Sequence, residues 1–434
     1  MVRSLGCKVN LADAAAVVEQ LDPDRVALTE DPGTADALLL NTCTVTHRAD
    51  RDARKILGSL VAKWPELPVV VTGCGAVRCP DRLAGFANVR ALLAPGQPRA
   101  VAAALGAPIA AGPGPSPFLR LGRRRAFAKI QDGCNARCGY CIIPRVRGAE
   151  RSLPLAAAVA LVSGLLDQGH REVVLTGIHL GRYRAEPTGG RQPVGLAGLL
   201  DALAPVFRDR GSQARLRLSS IEPLEIGSQL LDAIARSPFV CRHFHVPLQS
   251  GDDGVLAAMG RPYRAADYRR IVAGLRRRFP EAAIGADVLV GFPGEGEAAA
   301  ANTLALLADV PVDYLHVFPY SPRPHTPAAR AHQSGGEARV CDRAAKLRQL
   351  GERRWQAFTA AGVGRLHRVL VERVDATGAR GRSEHYRRIR LTGPPAAAAG
   401  RILSVRADAC SSGELRSAGA AAMVCGGAAM GAAP

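Results

Sequence analysis

The stretch "DGCNARCGYCIIPRVRG" at residues 132–148 carries Cys134, Cys138 and Cys141 in a C-x3-C-x2-C array. It follows a short apolar run, "AFAKIQ" at residues 126–131, so we expect the loop to begin where a β-strand ends. Three thiolates on one tight loop suit a cubane [4Fe-4S] cluster that leaves one iron without a protein ligand. The alternative, a structural zinc site, normally has four ligands, and no fourth Cys or His follows at a short spacing. These residues, called the loop cysteines below, are predicted to bind an iron–sulfur cluster.

Strand-like and helix-like segments alternate downstream of this loop, from about residue 126 to residue 350. Alternation of this kind predicts parallel β-α units, here about six, arranged as an open or partial barrel. The strand candidates are "EVVLTG" (172–177), "RLRLSS" (215–220), "HFHVPL" (243–248), "IGADVLVGF" (284–292) and "YLHVFPYS" (314–321). The glycines between residues 291 and 296 are not followed by Lys-Ser/Thr, so we reject a phosphate-binding P-loop. His243 and His245 are interpreted as strand residues with local contacts rather than metal ligands.

Three further cysteines each follow a strand-like run in residues 1–105. Cys7 ends "MVRSLGC", Cys43 ends "ALLLNTC" and Cys74 ends "VVVTGC". Helical segments lie between these runs, which predicts a parallel α/β sheet, and ligands gather beyond the carboxyl ends of such strands. We therefore predict that these strand-end cysteines form a second metal site. The alternative is three separate buried thiols, and Cys79 is a possible competing ligand.

The remaining segments are assigned by composition. Residues 106–125, which include "GAPIAAGPGPSPF", are predicted to be a linker, and residues 364–412 contain short alternating strands typical of a small all-β module. Residues 415–434 are rich in Ala and Gly and are predicted to be disordered. No role is assigned to Cys241, Cys341, Cys410 or Cys425.

Composition narrows the class of protein. The 434 residues are 47% hydrophobic and 22% charged, without an apolar run long enough to cross a bilayer, so we expect a soluble protein of two to three domains. Eleven cysteines and a polar start, "MVRSLGCKVN", favour a reducing cytoplasm. The net charge of +19 favours nucleic acid as a partner, although a solvated Arg-rich surface is the plainer alternative.

The loop cysteines, together with Tyr140 directly before the last of them, resemble the signature of the radical S-adenosylmethionine enzymes. This resemblance implies that the open iron chelates the amino and carboxylate groups of S-adenosylmethionine, and that reduction yields a 5′-deoxyadenosyl radical. It also implies a set of cofactor contacts at later strand ends. They are Gly177 for the methionine amino group, Ser219, Glu222 and Gln249 for ribose and carboxylate, and Asp287 and Gly291 in "GADVLVGFPGE".

The segments "LGCKVN", "NTCTVTHRAD" and "TGC", followed by the loop cysteines and a β module, resemble the methylthiotransferases over nearly the whole chain. The resemblance implies a second [4Fe-4S] cluster on the strand-end cysteines, whose open iron carries the sulfur to be inserted. "LGCKVN" points to the subfamily that converts N6-threonylcarbamoyladenosine 37 of tRNA into its 2-methylthio derivative. A flavodoxin or ferredoxin type of electron donor, a sulfur donor and the anticodon stem-loop are the implied partners, and no membrane is expected.

Other substrates and another class of function stay open at this point. Related enzymes act on N6-isopentenyladenosine 37 of tRNA or on an aspartate of a ribosomal protein. A non-catalytic iron–sulfur protein that binds RNA or senses redox state would also need clusters and positive charge, but not the barrel. The β module resembles the RNA-binding TRAM domain, with a Gly-to-Tyr loop in "GARGRSEHYRRIRL". Its predicted phosphate contacts, or alternatively solvated edge-strand charges, are Arg380, Arg382, Arg387, Arg388 and Arg390.

Overall fold

The computed structural model describes residues 1–186, 192–331, 336–392 and 399–417. Its first unit is a four-stranded parallel sheet in chain order. Leu38, Leu39 and Leu40 are fully buried, as expected for a strand covered on both faces. The strands are Val2–Ser4, Leu38–Thr42, Val69–Gly73 and Val89–Leu92, and the helices are Lys8–Glu19, His47–Lys63, Cys74–Arg78, Pro80–Ala84 and Pro98–Ala104.

The second unit is a partial barrel of six parallel strands in chain order. Two three-stranded sheets are joined by parallel bridges between Leu216 and Val240 and between Ser220 and His245. The strands are Arg125–Lys129, Glu172–Thr176, Arg215–Leu218, His243–His245, Ala283–Val290 and Tyr314–Pro319. The longer helices around them are Leu155–Asp167, Leu196–Arg208, Ser228–Arg236, Ala265–Arg278, Glu297–Asp309 and Glu337–Ala360. The predicted α/β class and partial barrel are confirmed, but the last helix extends ten residues beyond the predicted boundary at residue 350.

Short elements complete these two units. The short helices are Pro117–Arg120, Ile143–Arg147, Asp253–Ala258 and Pro327–Arg330. Two small antiparallel pairs are formed by Gln131–Asp132 with Arg151–Ser152, and by Arg184–Ala185 with Val194–Gly195. The 3-10 turns are Pro32–Thr34, Leu180–Arg182, Gly211–Gln213 and Pro223–Glu225.

The first helix connects the two units. Ala12 and Ala15 of this helix belong to the same buried cluster as the barrel strands. The predicted linker also packs here, because Phe118 is buried against the barrel and the Arg120 guanidinium donates to the carbonyl oxygen of Val26 at 2.8 Å. Within the described residues, no helix is long and apolar enough to cross a membrane.

The C-terminal unit is a six-stranded, mostly antiparallel sheet with its own core. Its strands are Leu366–Asp375, Gly378–Ser383, Arg388–Leu391, Ile402–Arg406, Ala409–Ser411 and Glu414–Ser417. The predicted disordered tail therefore begins too early, because Glu414–Ser417 pairs with Arg388–Leu391 and Leu415 is fully buried. Residues 418–434, including Cys425, lie outside the described residues.

Buried arginines attach this C-terminal sheet to the end of the barrel where its strands begin, called the lower end below. Glu172 is fully buried between Arg215 and Arg217, whose Nε atoms donate to its carboxylate at 2.7 and 2.8 Å. The same guanidinium groups donate to main-chain oxygens of the sheet, at 2.8 Å for Arg382 and 3.0 Å for Ser383. Attraction by the two arginines outweighs burial and holds the pKa of Glu172 well below its usual range.

We predict that Glu172→Gln destabilises the protein by about 3–5 kcal/mol, because it leaves two buried guanidinium groups without a carboxylate. Denaturant unfolding measures the effect. Asp201→Asn is the matched control, since it breaks an exposed pair with Arg236 and is expected to cost less than about 1 kcal/mol. Equal unfolding midpoints for the two variants would contradict the prediction.

Stability should also fall below neutral pH. Burial and the nearby charge of Arg387 lower the pKa of His385 to about 3, from 6.5 in the unfolded chain. Between these values the unfolded state binds a proton that the folded state rejects, so stability decreases as pH falls from 6.5 towards 3, by up to about 1.4 kcal/mol per pH unit. Unfolding of His385→Asn at pH 7 and pH 5 should show a smaller pH dependence than the exposed control His325→Asn. An unaltered slope would refute this assignment.

Candidate metal and cofactor site

The loop cysteines lie at the carboxyl end of the first barrel strand. Gly133 precedes them with a φ of +70°, and a Cβ there would lie 2.0 Å from the carbonyl oxygen of Ala149, so the turn requires glycine. The Cys134 amide donates to the carbonyl oxygen of Gly148 at 3.1 Å. Burial, together with the neighbouring thiols of Cys138 and Cys134, raises the pKa of Cys141 to about 12. The three thiols are therefore close enough to affect one another's ionisation.

Two polar side chains contact these thiols. The His179 Nδ1 atom lies 3.4 Å from Cys134 Sγ, and its Nε2 atom lies 2.7 Å from the Glu225 carboxylate. Arg261 donates from its guanidinium to Cys138 Sγ at 3.4 Å. Sequence reasoning missed both contacts; His179 lies two residues after Gly177 in "LTGIHLG", whereas nothing in the sequence links Arg261 to Cys138.

Several of the predicted cofactor residues lie close to this group. Glu222 is paired with Arg261, and burial raises its pKa despite that pairing. Gly177 lies against Gln131, whose Oε1 atom would be 2.8 Å from a Cβ at that glycine. The Ser219 hydroxyl is buried and has no hydrogen-bond partner among the described residues. An unsatisfied buried hydroxyl of this kind suits a hydrogen bond to a bound ligand.

The other predicted residues are placed differently. The Asp287 carboxylate accepts from His245 at 2.9 Å and from His316 at 3.3 Å, and these contacts outweigh burial and keep its pKa well below the usual range. Gln249 has a φ of +67° and its backbone pairs with the Ala283–Val290 strand.

Aromatic and histidine packing accounts for the rest. Tyr140 packs edge-on against Phe292, and Gly291 lies against Val340 of the last long helix. His243 Nε2 and His245 Nδ1 both contact the Tyr314 hydroxyl, at 2.8 and 3.0 Å, whereas His243 Nδ1 is buried without a hydrogen-bond partner among the described residues.

The strand-end cysteines also converge. Cys43 follows the second strand and Cys74 the third, and both are buried, whereas Cys7 begins the first helix and is exposed. Gly6 has a φ of +93°, and a Cβ there would lie 2.7 Å from Cys43 Sγ, so glycine lets the Cys7 segment approach Cys43. Burial and the charges of Cys7 and Cys74 raise the pKa of Cys43 to about 11. Cys79 contacts the Arg78 guanidinium instead and shares only a small side cavity with Cys43.

Buried side chains link the two groups of cysteines. Arg147 is 4% exposed and lies at the end of the short helix that follows the loop cysteines. Its Nε atom donates to Cys74 Sγ at 3.3 Å. A second arginine, Arg323, reaches from the barrel to Asp50 at 2.6 Å in the segment after Cys43. The loops that carry the two groups of thiols therefore pack against each other.

Part of the predicted RNA surface of the C-terminal sheet is buried. Arg387 is 4% exposed and donates to the carbonyl oxygen of Phe358 at 3.0 Å, so it cannot contact a phosphate in this structure. Arg382 packs over the Tyr386 ring, which stacks on His243 at 4.5 Å. This loop fills the lower end of the barrel, whereas Arg380 and Arg388 are exposed.

Comparisons with known proteins match both units. Residues 1–94 match the family described as Uncharacterized protein family UPF0004, and residues 128–307 match the Radical SAM superfamily. The chain thus carries a radical SAM domain, which implies a [4Fe-4S] cluster and S-adenosylmethionine. A UPF0004 domain followed by a radical SAM domain is the architecture of the methylthiotransferases.

Solved structures support the fold. This chain is similar to TsrM, a radical S-adenosylmethionine methyltransferase from Kitasatospora setae with cobalamin and a [4Fe-4S] cluster bound, with a TM-score of 0.52 and 16% identity over 69% of this chain and 67% of that one. With tryptophan substrate and a cofactor analogue bound, the TM-score is 0.50 at 16% identity, over 68% of this chain and 64% of that one. This chain therefore spans about two thirds of the length of these relatives, and identities this low support the fold alone.

In the metal-free protein, Cys43 and Cys141 should resist alkylation at neutral pH. The thiolate is the reactive species, and the pKa values of about 11 and about 12 keep both thiols protonated. Timed iodoacetamide labelling after anaerobic chelation, followed by peptide mass spectrometry, should show much slower modification of both than of exposed Cys341. Labelling of Cys43 at the rate of Cys341 would contradict this prediction.

Proposed function

We propose that the protein is a tRNA methylthiotransferase that inserts a methylthio group at C2 of N6-threonylcarbamoyladenosine 37. The observation that carries this proposal is the presence of two separate three-thiol groups whose loops pack against each other through Arg147. One such group would suffice for radical generation alone. A second one beside it supports a reaction that also needs a sulfur source.

The donor atoms of both groups fit [4Fe-4S] clusters with one iron left open. Each group offers three sulfurs from different positions, and the strand-end thiols are close enough to affect one another's pKa. His179, which lies 3.4 Å from Cys134 Sγ, is held through its other ring nitrogen by Glu225. We assign Cys134, Cys138 and Cys141 to the cluster that binds S-adenosylmethionine, and the strand-end cysteines to the second cluster. When bound, these groups would supply a 5′-deoxyadenosyl radical and the sulfur for insertion.

The protein's own residues would bind and orient the cofactor at the strand ends. The Ser219 hydroxyl is free to donate to a ligand, and Glu222 lies beside Cys138 through their common partner Arg261. At Gly177, Gln249 and Gly291 the main chain would lie close to the bound cofactor. Tyr140 would close one side of the site. Asp287, held by two histidines, would orient His245 rather than contact the cofactor directly.

A basic cleft supports RNA as the partner. A cavity of about 750 Å³ lies where the first unit meets the loop after Cys141, and its lining includes Arg78, Arg82 and Arg145 together with Asp81. The neighbouring helix adds exposed cations on its outer face: Arg48, Arg51, Arg54 and Lys55. Cations clustered beside a reactive centre suit the phosphates of an anticodon stem-loop. The C-terminal TRAM-like sheet would contribute Arg380 and Arg388.

Mass spectrometry of tRNA nucleosides tests this function. We expect 2-methylthio-N6-threonylcarbamoyladenosine to disappear in a deletion strain and to return with the wild-type gene but not with Cys138→Ala, which removes a loop cysteine. Cys341→Ala, an exposed thiol outside both groups, is the matched control and should restore the nucleoside. The electron donor, of flavodoxin or ferredoxin type, and the sulfur donor would be supplied by the host.

Two outcomes would redirect the proposal. If only the isopentenyl derivative of tRNA or the aspartate of a ribosomal protein lost its methylthio group, the reaction would stand and the substrate would be wrong. If no methylthio group changed and the purified protein failed to cleave S-adenosylmethionine on reduction, the chain would instead be a non-catalytic iron–sulfur protein.

A further inference from the structure

We propose that Arg147 is a positioning residue for the cluster bound by the strand-end cysteines. Its guanidinium holds the Cys74 sulfur in place and raises the reduction potential of that cluster. This inference rests on the proposed function, because it requires a cluster on Cys7, Cys43 and Cys74. Arg147 itself is not a metal ligand. It belongs to the barrel, whereas the thiol that it contacts belongs to the first unit.

The guanidinium of Arg147 is fully engaged. Its Nε atom donates to Cys74 Sγ at 3.3 Å, and one terminal nitrogen donates to Asp132 at 3.1 Å. The other terminal nitrogen donates to Asn10 at 2.6 Å and to Asp13 at 2.8 Å. A planar guanidinium with five N–H donors can make these contacts simultaneously, and a lysine ammonium cannot.

Each of these contacts touches a segment that carries predicted ligands. Asn10 and Asp13 lie on the helix that begins immediately after Cys7. Asn10 also donates to the carbonyl oxygen of Thr42, directly before Cys43, at 2.9 Å. Asp132 lies two residues before Cys134, at the start of the loop cysteines. One buried side chain therefore contacts the segments that carry both groups of cysteines and fixes their relative position.

Cations outnumber carboxylates around Arg147. Lys129 pairs with Asp13 and Asp132, and Arg151 lies 3.3 Å from Asp132. Together with Arg147, three cations therefore contact two carboxylates, and one positive charge is left without an anion. Arg147 Nε contacts Cys74 Sγ at 3.3 Å, so this positive charge lies directly beside the sulfur.

A fixed buried cation also affects electron affinity. Reduction adds negative charge to a cluster, and an N–H···S hydrogen bond from a cation stabilises the more negative state. Burial strengthens this effect, because little water screens the charge. Loss of Arg147 should therefore make the cluster harder to reduce, even where the fold and the iron content are unchanged.

Redox potentiometry of the full-length chain tests this. In a background that lacks the loop cysteines, Cys134→Ala, Cys138→Ala and Cys141→Ala, only the strand-end site can bind iron, at about four irons per chain. We expect Arg147→Gln to lower the potential followed by electron paramagnetic resonance, so that the reduced-to-oxidised ratio at the unsubstituted midpoint falls severalfold. Arg147→Lys, which keeps the positive charge but lacks the planar guanidinium, should shift the potential less. Arg151→Gln is the matched control, since it also contacts Asp132 but is mostly exposed and does not touch Cys74.

Each other outcome is decisive. About four irons with an unchanged potential in Arg147→Gln would overturn the inference and leave the proposed function intact. If Arg147→Gln loses the iron, the neutral variant Arg147→Met is measured in its place, and an unchanged potential in that variant would overturn the inference. Absence of iron in the background with Arg147 intact would overturn the second cluster, and the inference with it.

Discussion

Buried arginines between the units are the constraint on which the arrangement of the site depends. Removing a guanidinium from water is costly unless carboxylates or carbonyl oxygens replace the water. For Arg147 and Arg323 some of those partners lie on the first unit, and for Arg215 and Arg217 they lie both inside the barrel and on the C-terminal sheet. None of these arginines is satisfied by its own unit alone. The units must therefore dock in one relative position for the charges to be tolerated.

That docking brings together the carboxyl edges of the two parallel sheets, where the cysteines lie. A parallel sheet delivers loops to the carboxyl edge of its strands, which explains why three thiols far apart in sequence meet on the first sheet. It does not by itself bring this edge to the edge of the barrel. The helix after Cys7 packs into the barrel core through Ala12 and Ala15, and Arg147 joins that helix to the loop cysteines. Packing and charge together bring the two edges face to face.

The sequence was informative where reactive residue types, such as cysteine, fall at the ends of segments with a clear strand or helix pattern. Cysteines at the ends of apolar strands led to the prediction of two groups of thiols, and alternating β and α segments predicted the barrel that the structure shows. Contacts made by long polar side chains could not be predicted, because Arg147 and Cys74 are 73 residues apart and nothing local distinguishes Arg147 from exposed Arg145. The tail was misjudged for a related reason. Leu415 stands before an Ala- and Gly-rich segment, and only its pairing with a distant strand makes it a core residue.

The C-terminal sheet restricts how a substrate could approach. Tyr386 stacks on His243 at the lower end of the barrel and is surrounded by Arg217 and Arg382, so this end is filled by the protein itself. Arg82 and Arg145 are exposed along the cleft beside the loops that carry the thiols. A nucleotide directed by phosphate contacts to that cleft would reach the edge where the thiols meet. For the proposed function, the C-terminal sheet would then serve as a fixed floor of the barrel as well as an RNA contact, which explains why its Gly-to-Tyr loop is buried.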